Sequence, residues 1–153
     1  MTRAAFGLGS NLGDRRAHLE AAVRWLAALG EVLAVSSFRE TAAVGGPPQP
    51  DYLNAAVVVA TEQAPRALLA AAQEIERRAG RERGVVGGPR TLDLDLLLYG
   101  DRTVREPGLV VPHPRLHERL FVLEPLAEIA LDWPVPGFGR TVGELLADLR
   151  IHS

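Results

Sequence analysis

The segment Pro89–Leu96, with the sequence Pro-Arg-Thr-Leu-Asp-Leu-Asp-Leu, restricts the fold of this chain more than any other stretch. Alternation of leucine with aspartate is typical of a β-strand, because successive side chains of a strand point to opposite faces of the sheet. Asp93 and Asp95 would then share one face, about 7 Å apart along the backbone. The leucines would share the other face. The pattern predicts a strand with one apolar and one acidic face.

The two aspartates on the acidic face are candidate ligands for a cation. Two neighbouring carboxylates repel each other, and proteins relieve the repulsion with a shared proton, an arginine or a hard cation bound through oxygen. Arg90 lies three residues before Asp93 and adds a permanent positive charge. A divalent ion on two aspartates beside guanidinium groups suits the neutralisation of a polyphosphate. We therefore predict a metal- and phosphate-binding strand; the alternative is an edge strand whose acidic face is only solvated.

Length and composition place the chain in a broad class. Its 153 residues predict one domain over 1–153, and 47% hydrophobic with 24% charged residues is typical of soluble globular proteins. No stretch approaches the ~20 apolar residues of a membrane span, and the N-terminus enters an apolar strand without a signal peptide. We therefore expect a cytoplasmic location and no membrane partner. The net charge of −2 argues against a broad nucleic-acid-binding surface.

Two residue types are missing. Without cysteine, the chain has no disulfides, thiol nucleophiles or thiolate metal ligands. All 17 basic residues are arginine, so the sequence contains no lysine. This excludes a Walker-type phosphate loop and Schiff-base catalysis, because both require a lysine amine.

The periodicity of apolar residues predicts the order strand, helix, strand, strand, helix, strand. The strands fall at 3–8, 32–38, 52–60 and 92–99, the helices end at Gly30 and Gly80, and a loop covers 39–50. An extended run at 110–114 precedes helical segments at 115–130 and 141–149. This order predicts an α+β fold, a ferredoxin-like βαββαβ sandwich whose antiparallel sheet carries two main helices on one face, plus C-terminal helical decoration. The other face would be free to hold ligands.

The glycine-rich turn after the first strand is also compatible with a second type of fold. A strand, a glycine-rich turn and a helix are also the start of a dinucleotide-binding fold. The spacing argues against it, since the third glycine of Gly7–Gly13 comes one residue late and no acidic residue closes the next strand.

Three further segments carry candidate functional residues. Tyr52 and Asn54 would share a strand face, where an amide could read the edge of a nitrogen heterocycle; equally, Asn54 could begin the strand as a turn residue. Glycines between Gly80 and Gly88 predict a flexible, arginine-bearing segment beside the aspartates, which resembles a lid. His113, bracketed by prolines, is either a buried structural histidine or a phosphate donor.

Four motifs occur together in this sequence, namely Gly9–Gly13, Pro50–Ala55, Gly88–Asp95, and Val111–His113 followed by Arg119–Leu123. Together they resemble the 6-hydroxymethyl-7,8-dihydropterin pyrophosphokinase family. The resemblance covers nearly the whole chain, and the four motifs occur in the family's order. It implies transfer of a diphosphate from ATP to the hydroxymethyl group of 6-hydroxymethyl-7,8-dihydropterin, with release of AMP, in folate biosynthesis.

The resemblance also implies a role for individual residues. Asp93 and Asp95 would hold two Mg²⁺ ions and, with Arg81 and Arg90, form the catalytic set. The ATP contacts would be Leu69, Glu76, Arg81, Arg83, Arg90, Leu96, His113 and Arg119. The pterin contacts would be Thr41, Ala42, Val44, Tyr52, Asn54 and Phe121. The partners would be ATP and the pterin, with no nucleic acid, and the protein would be a monomer or a weak homodimer.

Two other function classes fit parts of the sequence. Nucleotidyl transferases also place Asp-x-Asp on a strand, but their Gly-Ser precedes the aspartates by about a dozen residues, whereas Gly9-Ser10 lies far upstream. A ligand-sensing or RNA-binding module could use the same scaffold. RNA binding requires exposed aromatic residues on central strands, and the first strand offers only Phe6.

Overall fold

A central antiparallel sheet organises the computed structural model, which describes residues 1–43, 46–80 and 91–152. Its neighbouring strands run in the order β2, β4, β1, β5, and β3 also pairs with β4. Every pairing in this sheet is antiparallel, which contradicts the dinucleotide-binding hypothesis because that fold requires a mostly parallel sheet. The strands are β1 Thr2–Ser10, β2 Glu31–Val35, β3 Arg39–Thr41, β4 Tyr52–Thr61 and β5 Asp93–Tyr99.

Two helices cover one face of the sheet. They are α1 Arg15–Leu26 and α2 Pro65–Arg78. Asp14 caps the start of α1, because its side chain accepts a hydrogen bond from the Ala17 N–H. Proline lies in the first turn of α2, where its missing N–H is tolerated. The buried residues of both helices form one apolar cluster with alternate residues of the strands. The helix residues of this cluster are Leu19, Ala22, Leu26, Leu68, Ala72 and Ile75.

A second helical layer covers part of the opposite face. It comprises the 3-10 turn Leu116–Glu118, helix α3 Leu120–Ala130 and helix α4 Val142–Ile151. Leu123 and Leu126 of α3 are fully buried against Ala56 and Val58 of β4 and against other residues of the cluster. The sequence predicted C-terminal helices, but the expectation that this sheet face is free was wrong over the part that they cover. They bury a second core and, among the described residues, leave one end of this face open.

Several short strands were not predicted. β3 falls inside the predicted loop, and the hairpins β6 Val104–Glu106 with β7 Leu109–Val111 and β8 Pro134–Val135 with β9 Arg140–Thr141 were also missed. Strands of two or three residues are too short to show an alternating apolar pattern in the sequence. Whether they form depends on pairing with a neighbouring strand in the folded protein. β2 ends at Val35 rather than at residue 38. The next residue, Ser36, uses both its backbone and its hydroxyl to bind Ala56.

β5 contains a bulge that changes the faces of its side chains. Leu96 pairs with Phe6 and Leu98 pairs with Ala5, so Leu97 is the extra residue. Before the bulge, Leu94 and Leu96 face α1 and α2. The bulge residue Leu97 and the next residue, Leu98, both pack into the second core. The acidic part of the strand is thereby separated from an entirely buried part.

In the described part of the chain, no helix has the length and apolar character required to cross a membrane.

Replacing Leu126 by Ala tests whether the second helical layer is part of the folding core. We expect the free energy of unfolding to fall by about 2–5 kcal/mol, because the change leaves a cavity at a fully buried position. The control is Ile151→Ala at the end of α4, where the side chain is 76% exposed, with an expected change within about 0.5 kcal/mol. Urea denaturation measures both. Equal losses in the two variants would contradict the description of α3 as a core element.

Candidate active site

A cleft of about 500 Å³ lies at the open end of the second sheet face, between the strands and the start of α3. Its size is within the usual range for small-molecule sites. The cleft brings together predicted residues from three of the four motifs, and also the predicted residues Thr41 and Ala42. These are Thr41, Ala42, Tyr52, Asn54, Asp93, Asp95, Arg119 and Phe121.

The two aspartates face this cleft from β5. Gly9 and Gly7 of β1 pair with Asp93 and Asp95, so the carboxylates lie beside a part of the sheet that has no side chains. Asp93 is half-buried and accepts a hydrogen bond from the Tyr52 hydroxyl at 3.4 Å, whereas Asp95 is exposed. The acidic face is thus the wall of a cavity and not merely a solvated edge.

The acidic pair fits the donor set that magnesium uses with nucleotides. No cluster of three or more acidic, histidine or cysteine side chains with metal-binding spacing occurs among the described residues. Mg²⁺ commonly binds through one or two carboxylates and takes its other oxygen ligands from substrate phosphates and water. Asp93 and Asp95 supply hard oxygen donors of that number and type, so the residues present fit this ion.

Asn54 lies inside β4 and is held by Thr41. The side chain is 5% exposed, and its amide nitrogen donates to the Thr41 hydroxyl at 2.5 Å. The two residues lie on paired strands, since Arg39 pairs with Asn54 and Thr41 with Tyr52. The alternative that Asn54 is a turn residue at the start of the strand is therefore wrong. Its carboxamide is a buried, oriented polar group at the cleft.

Gly9 forms the floor of the cleft, and its lack of a side chain determines how deep the cleft is at this point. A Cβ atom added at Gly9 would lie 3.0 Å from Asn54 Oδ1 and 3.3 Å from Tyr52 Cδ1. Any larger residue would therefore press against both side chains. The sequence identified Gly9 only as part of a motif; the structure shows that its missing side chain makes room in the cleft.

The start of α3 supplies the basic side of the cleft. The Arg119 guanidinium lies 5.5 Å from the centroid of the Phe121 ring, a distance compatible with a cation–π contact. Arg115 and Glu118 also line the cleft and pair with each other, at 3.1 Å between Nε and Oε2. Neither was predicted, although both follow the proline-bracketed His113. Together with the aspartates they give the cleft charges of both signs.

His113 has both a structural and an electrostatic role. Its backbone N–H donates to the Leu97 carbonyl at 2.9 Å, which ties the segment to β5. Burial lowers the pKa of His113 below its ordinary value; the nearby Asp95 charge opposes this shift, and Arg119 and Arg115 add to it. The ring is therefore neutral at neutral pH. Because Nδ1 accepts the Arg115 N–H at 3.2 Å, the proton lies on Nε2.

Three predicted ATP contacts lie on the other side of β5. Leu96 is 6% exposed and, with Leu69, packs into the cluster beneath α1 and α2. Glu76 of α2 is buried, and its Oε2 accepts the Leu94 N–H at 2.9 Å. A buried carboxylate needs such a partner. The predicted residues Val44, Arg81, Arg83 and Arg90 lie outside the described residues.

Comparison with known proteins assigns this architecture to a family. The model of the 7,8-dihydro-6-hydroxymethylpterin-pyrophosphokinase family matches residues 5–131. The chain belongs to this family. The resemblance based on the four sequence motifs is thereby confirmed.

Relatives of high similarity carry the name 2-amino-4-hydroxy-6-hydroxymethyldihydropteridine pyrophosphokinase. The Synechocystis protein is 45% identical over 145 residues, which cover 94% of this chain and 74% of the relative. The Bacillus subtilis protein is 49% identical over 128 residues, covering 82% and 77%. The Methylorubrum extorquens protein is 46% identical over 151 residues, covering 97% and 94%.

Solved structures show the same fold at much lower identity. The crystal structure of wild-type Plasmodium falciparum HPPK-DHPS with SDX-DHP superposes with a TM-score of 0.76 at 16% identity. The match covers 97% of this chain and 43% of the Plasmodium chain, so this chain corresponds to less than half of that protein. At this identity the likeness supports the mixed α/β fold with its antiparallel sheet.

Thr41→Val tests whether the cleft residue Asn54 is fixed by the neighbouring strand. Loss of the hydroxyl leaves the buried amide without its acceptor, and we expect the free energy of unfolding to fall by about 1–3 kcal/mol. Thr103→Val, at an exposed position, is the matched control. We expect it to change the free energy of unfolding by no more than about 0.5 kcal/mol. Urea denaturation monitored by tryptophan fluorescence measures both. A Thr41 variant as stable as the control would show that this hydrogen bond does not hold Asn54.

Proposed function

We propose that the protein transfers a diphosphate from ATP to the hydroxymethyl group of 6-hydroxymethyl-7,8-dihydropterin, giving AMP and the pterin diphosphate in folate biosynthesis. One observation carries the proposal: Asp93 and Asp95 share a cleft with the aromatic rings of Tyr52 and Phe121 and the amide of Asn54. Paired carboxylates suit a metal-bound polyphosphate, and rings with an amide suit a flat heterocycle. The names of the relatives support the same reaction.

The pterin would occupy the end of the cleft nearest β3 and β4. Tyr52 and Phe121 would lie along the two faces of the ring, and the Asn54 amide would bond its edge. Backbone groups of Thr41, Ala42 and Val44 would complete the pocket. The wall opposite β5 is therefore assigned to ring recognition.

The phosphates would lie at the aspartates. Asp93 and Asp95 would hold two Mg²⁺ ions, which when bound neutralise the charge of the transferring phosphates. His113 offers its Nε2 proton and Arg119 its guanidinium as donors to phosphate oxygens. Arg81, Arg83 and Arg90 are assigned to the same role on the basis of the resemblance.

The adenine would contact the other side of β5. Asp95 and Leu96 point to opposite faces, so one ligand contacts both only by crossing the edge of the strand. β5 lies at one end of the strand order, which permits such a path. Leu69, Glu76 and Leu96 are therefore proposed neighbours of the nucleoside, and the phosphates alone would enter the cleft.

The reaction itself is an in-line displacement. The hydroxymethyl oxygen releases its proton to solvent and forms a bond to the β-phosphorus, while the bond from that phosphorus to the bridging oxygen breaks and AMP leaves with that oxygen. Such a step depends on positioning and on neutralised charge more than on a strong base. The proposed contacts would hold the pterin and the ATP phosphates on adjacent walls of one cleft, as that geometry requires.

Several broader assignments accompany this function. The strand order and the two helices on one face support classification as a ferredoxin-like βαββαβ sandwich. We further propose a single pyrophosphokinase domain over 1–153 and a monomer or weak homodimer. The requirement for ATP favours a cytoplasmic site of action.

The proposed activity is tested by identifying the nucleotide released. The protein is incubated with ATP, Mg²⁺ and 6-hydroxymethyl-7,8-dihydropterin, and the products are separated by chromatography. We expect AMP and the pterin diphosphate in equal amounts, and no turnover when a chelator removes Mg²⁺. Release of ADP would instead mean transfer of a single phosphate and would refute the proposal.

Asp95→Ala tests the role of the acidic pair. Loss of one carboxylate removes several kcal/mol of charge stabilisation, so we expect kcat to fall about a thousandfold. Asp95 is exposed, and the fold should remain intact by circular dichroism. The control Asp101→Ala changes an exposed aspartate in the turn after β5 and should retain normal turnover. An Asp95 variant that still makes AMP at the normal rate would overturn the assignment of this site.

A further inference from the structure

Glu128 of α3 holds the chain between β2 and β3 with a single carboxylate. Its Oε1 accepts the Ser37 backbone N–H at 2.7 Å, and its Oε2 accepts the Ser37 hydroxyl at 2.7 Å. Arg39 donates to the same Oε2 from Nη2 at 3.1 Å. These hydrogen bonds lower the pKa of Glu128, chiefly those from Ser37, so the group is ionised at neutral pH. One side chain therefore connects α3 to the segment Ser37–Arg39.

The segment held by Glu128 leads directly into one wall of the cleft. Arg39 begins β3, whose last residue is Thr41, and Ala42 follows at the cleft. β3 has three residues and, among the described strands, pairs with β4. A strand this short contributes few ladder hydrogen bonds, so its position depends on what fixes the chain before it. Ser36 attaches this chain to Ala56 of β4, and Glu128 attaches it to α3.

The helix that carries Glu128 leads to the other wall. Phe121 lies seven residues earlier in α3, which is close to two helical turns and about 10 Å along the axis on nearly the same side. Arg119 precedes the first turn of the helix and also lines the cleft. Glu128 itself does not line the cleft. It therefore connects the Thr41–Ala42 wall to the Phe121 wall from outside.

We propose that Glu128 is a positioning residue that sets the separation of these two walls and thereby the affinity for the flat pterin ring. The inference rests on the proposed function, because it assumes that Phe121 covers one face of the ring while backbone groups of the Thr41–Ala42 wall contact its edge. It assigns Glu128 no contact with either substrate. Its effect should fall mainly on the pterin, because Arg119 is the one proposed ATP contact that lies at α3, and the other proposed ATP contacts lie elsewhere in the chain.

The test compares Glu128→Gln with a matched control on the same helix. Glutamine keeps the size and one acceptor oxygen but loses the charge and the second acceptor. Glu124 also lies on α3, pairs with Arg150 at 2.9 Å, and has a side chain 30% exposed against 32% for Glu128. Glu124→Gln therefore removes a comparable ion pair that does not involve the Ser37–Arg39 segment.

Steady-state kinetics with each substrate varied in turn give the readout. We expect Glu128→Gln to raise KM for the pterin about fivefold, a change comparable to the loss of one ordinary hydrogen bond. KM for ATP and kcat should stay within about twofold of the parent, and Glu124→Gln should leave all three values unchanged. Thermal unfolding of both variants shows that each is folded at the assay temperature.

Ser37→Ala provides an independent variant. It removes only the hydroxyl hydrogen bond to Oε2, so KM for the pterin should rise about twofold to threefold. In the double variant with Glu128→Gln the two effects should be less than additive in free energy, because both act through one contact. Equal pterin KM values for Glu128→Gln and Glu124→Gln, or equal increases for pterin and ATP, would overturn the inference. A parent protein that releases no AMP would refute the proposed function instead.

Discussion

The register between β5 and β1 is the constraint on which the site depends. Leu94 and Leu96 are buried between the sheet and its first helical layer, and this burial fixes which residues of β1 they face. A slip of one residue would turn the apolar set outward and the carboxylates inward. Such a slip would bury Asp93 and Asp95 at a cost of several kcal/mol for each unpaired charge. The hydrophobic core on one face therefore determines the direction of the acidic groups on the other.

The second helical layer gives this acidic face an enclosed cleft. An antiparallel sheet with helices on one side would leave the aspartates in open solvent, where ionic interactions are weak. Here α3 packs on the buried part of the same face, and its first turn brings Arg119 and Phe121 beside the strand. The bulge at Leu97 assists this arrangement, because it directs two successive leucines into the second core and ends the acidic part of β5.

The sequence predicted those parts of the structure whose residues repeat with a period. The alternation in β5 and the shared face of Tyr52 and Asn54 were both predicted, because burial on one side of a strand makes apolar residues recur at every second position. β3 has three residues and no such pattern, so its existence depends on pairing with β4. The second core was missed for another reason: apolar positions on α3 show that a face is buried without showing what covers it. Arg115 carried no signal beyond its place after His113.

The orientation of Asn54 has a consequence for the chemistry of the ligand. Its amide nitrogen donates to Thr41, so the carboxamide oxygen is directed toward the floor formed by Gly9. An oxygen in that position attracts a protonated ring nitrogen and repels a lone pair. The cleft would thus distinguish tautomers of one heterocycle, favouring a lactam whose nitrogen carries hydrogen over the corresponding lactim. A heterocycle that presents a ring lone pair to this oxygen would bind more weakly because of lone-pair repulsion.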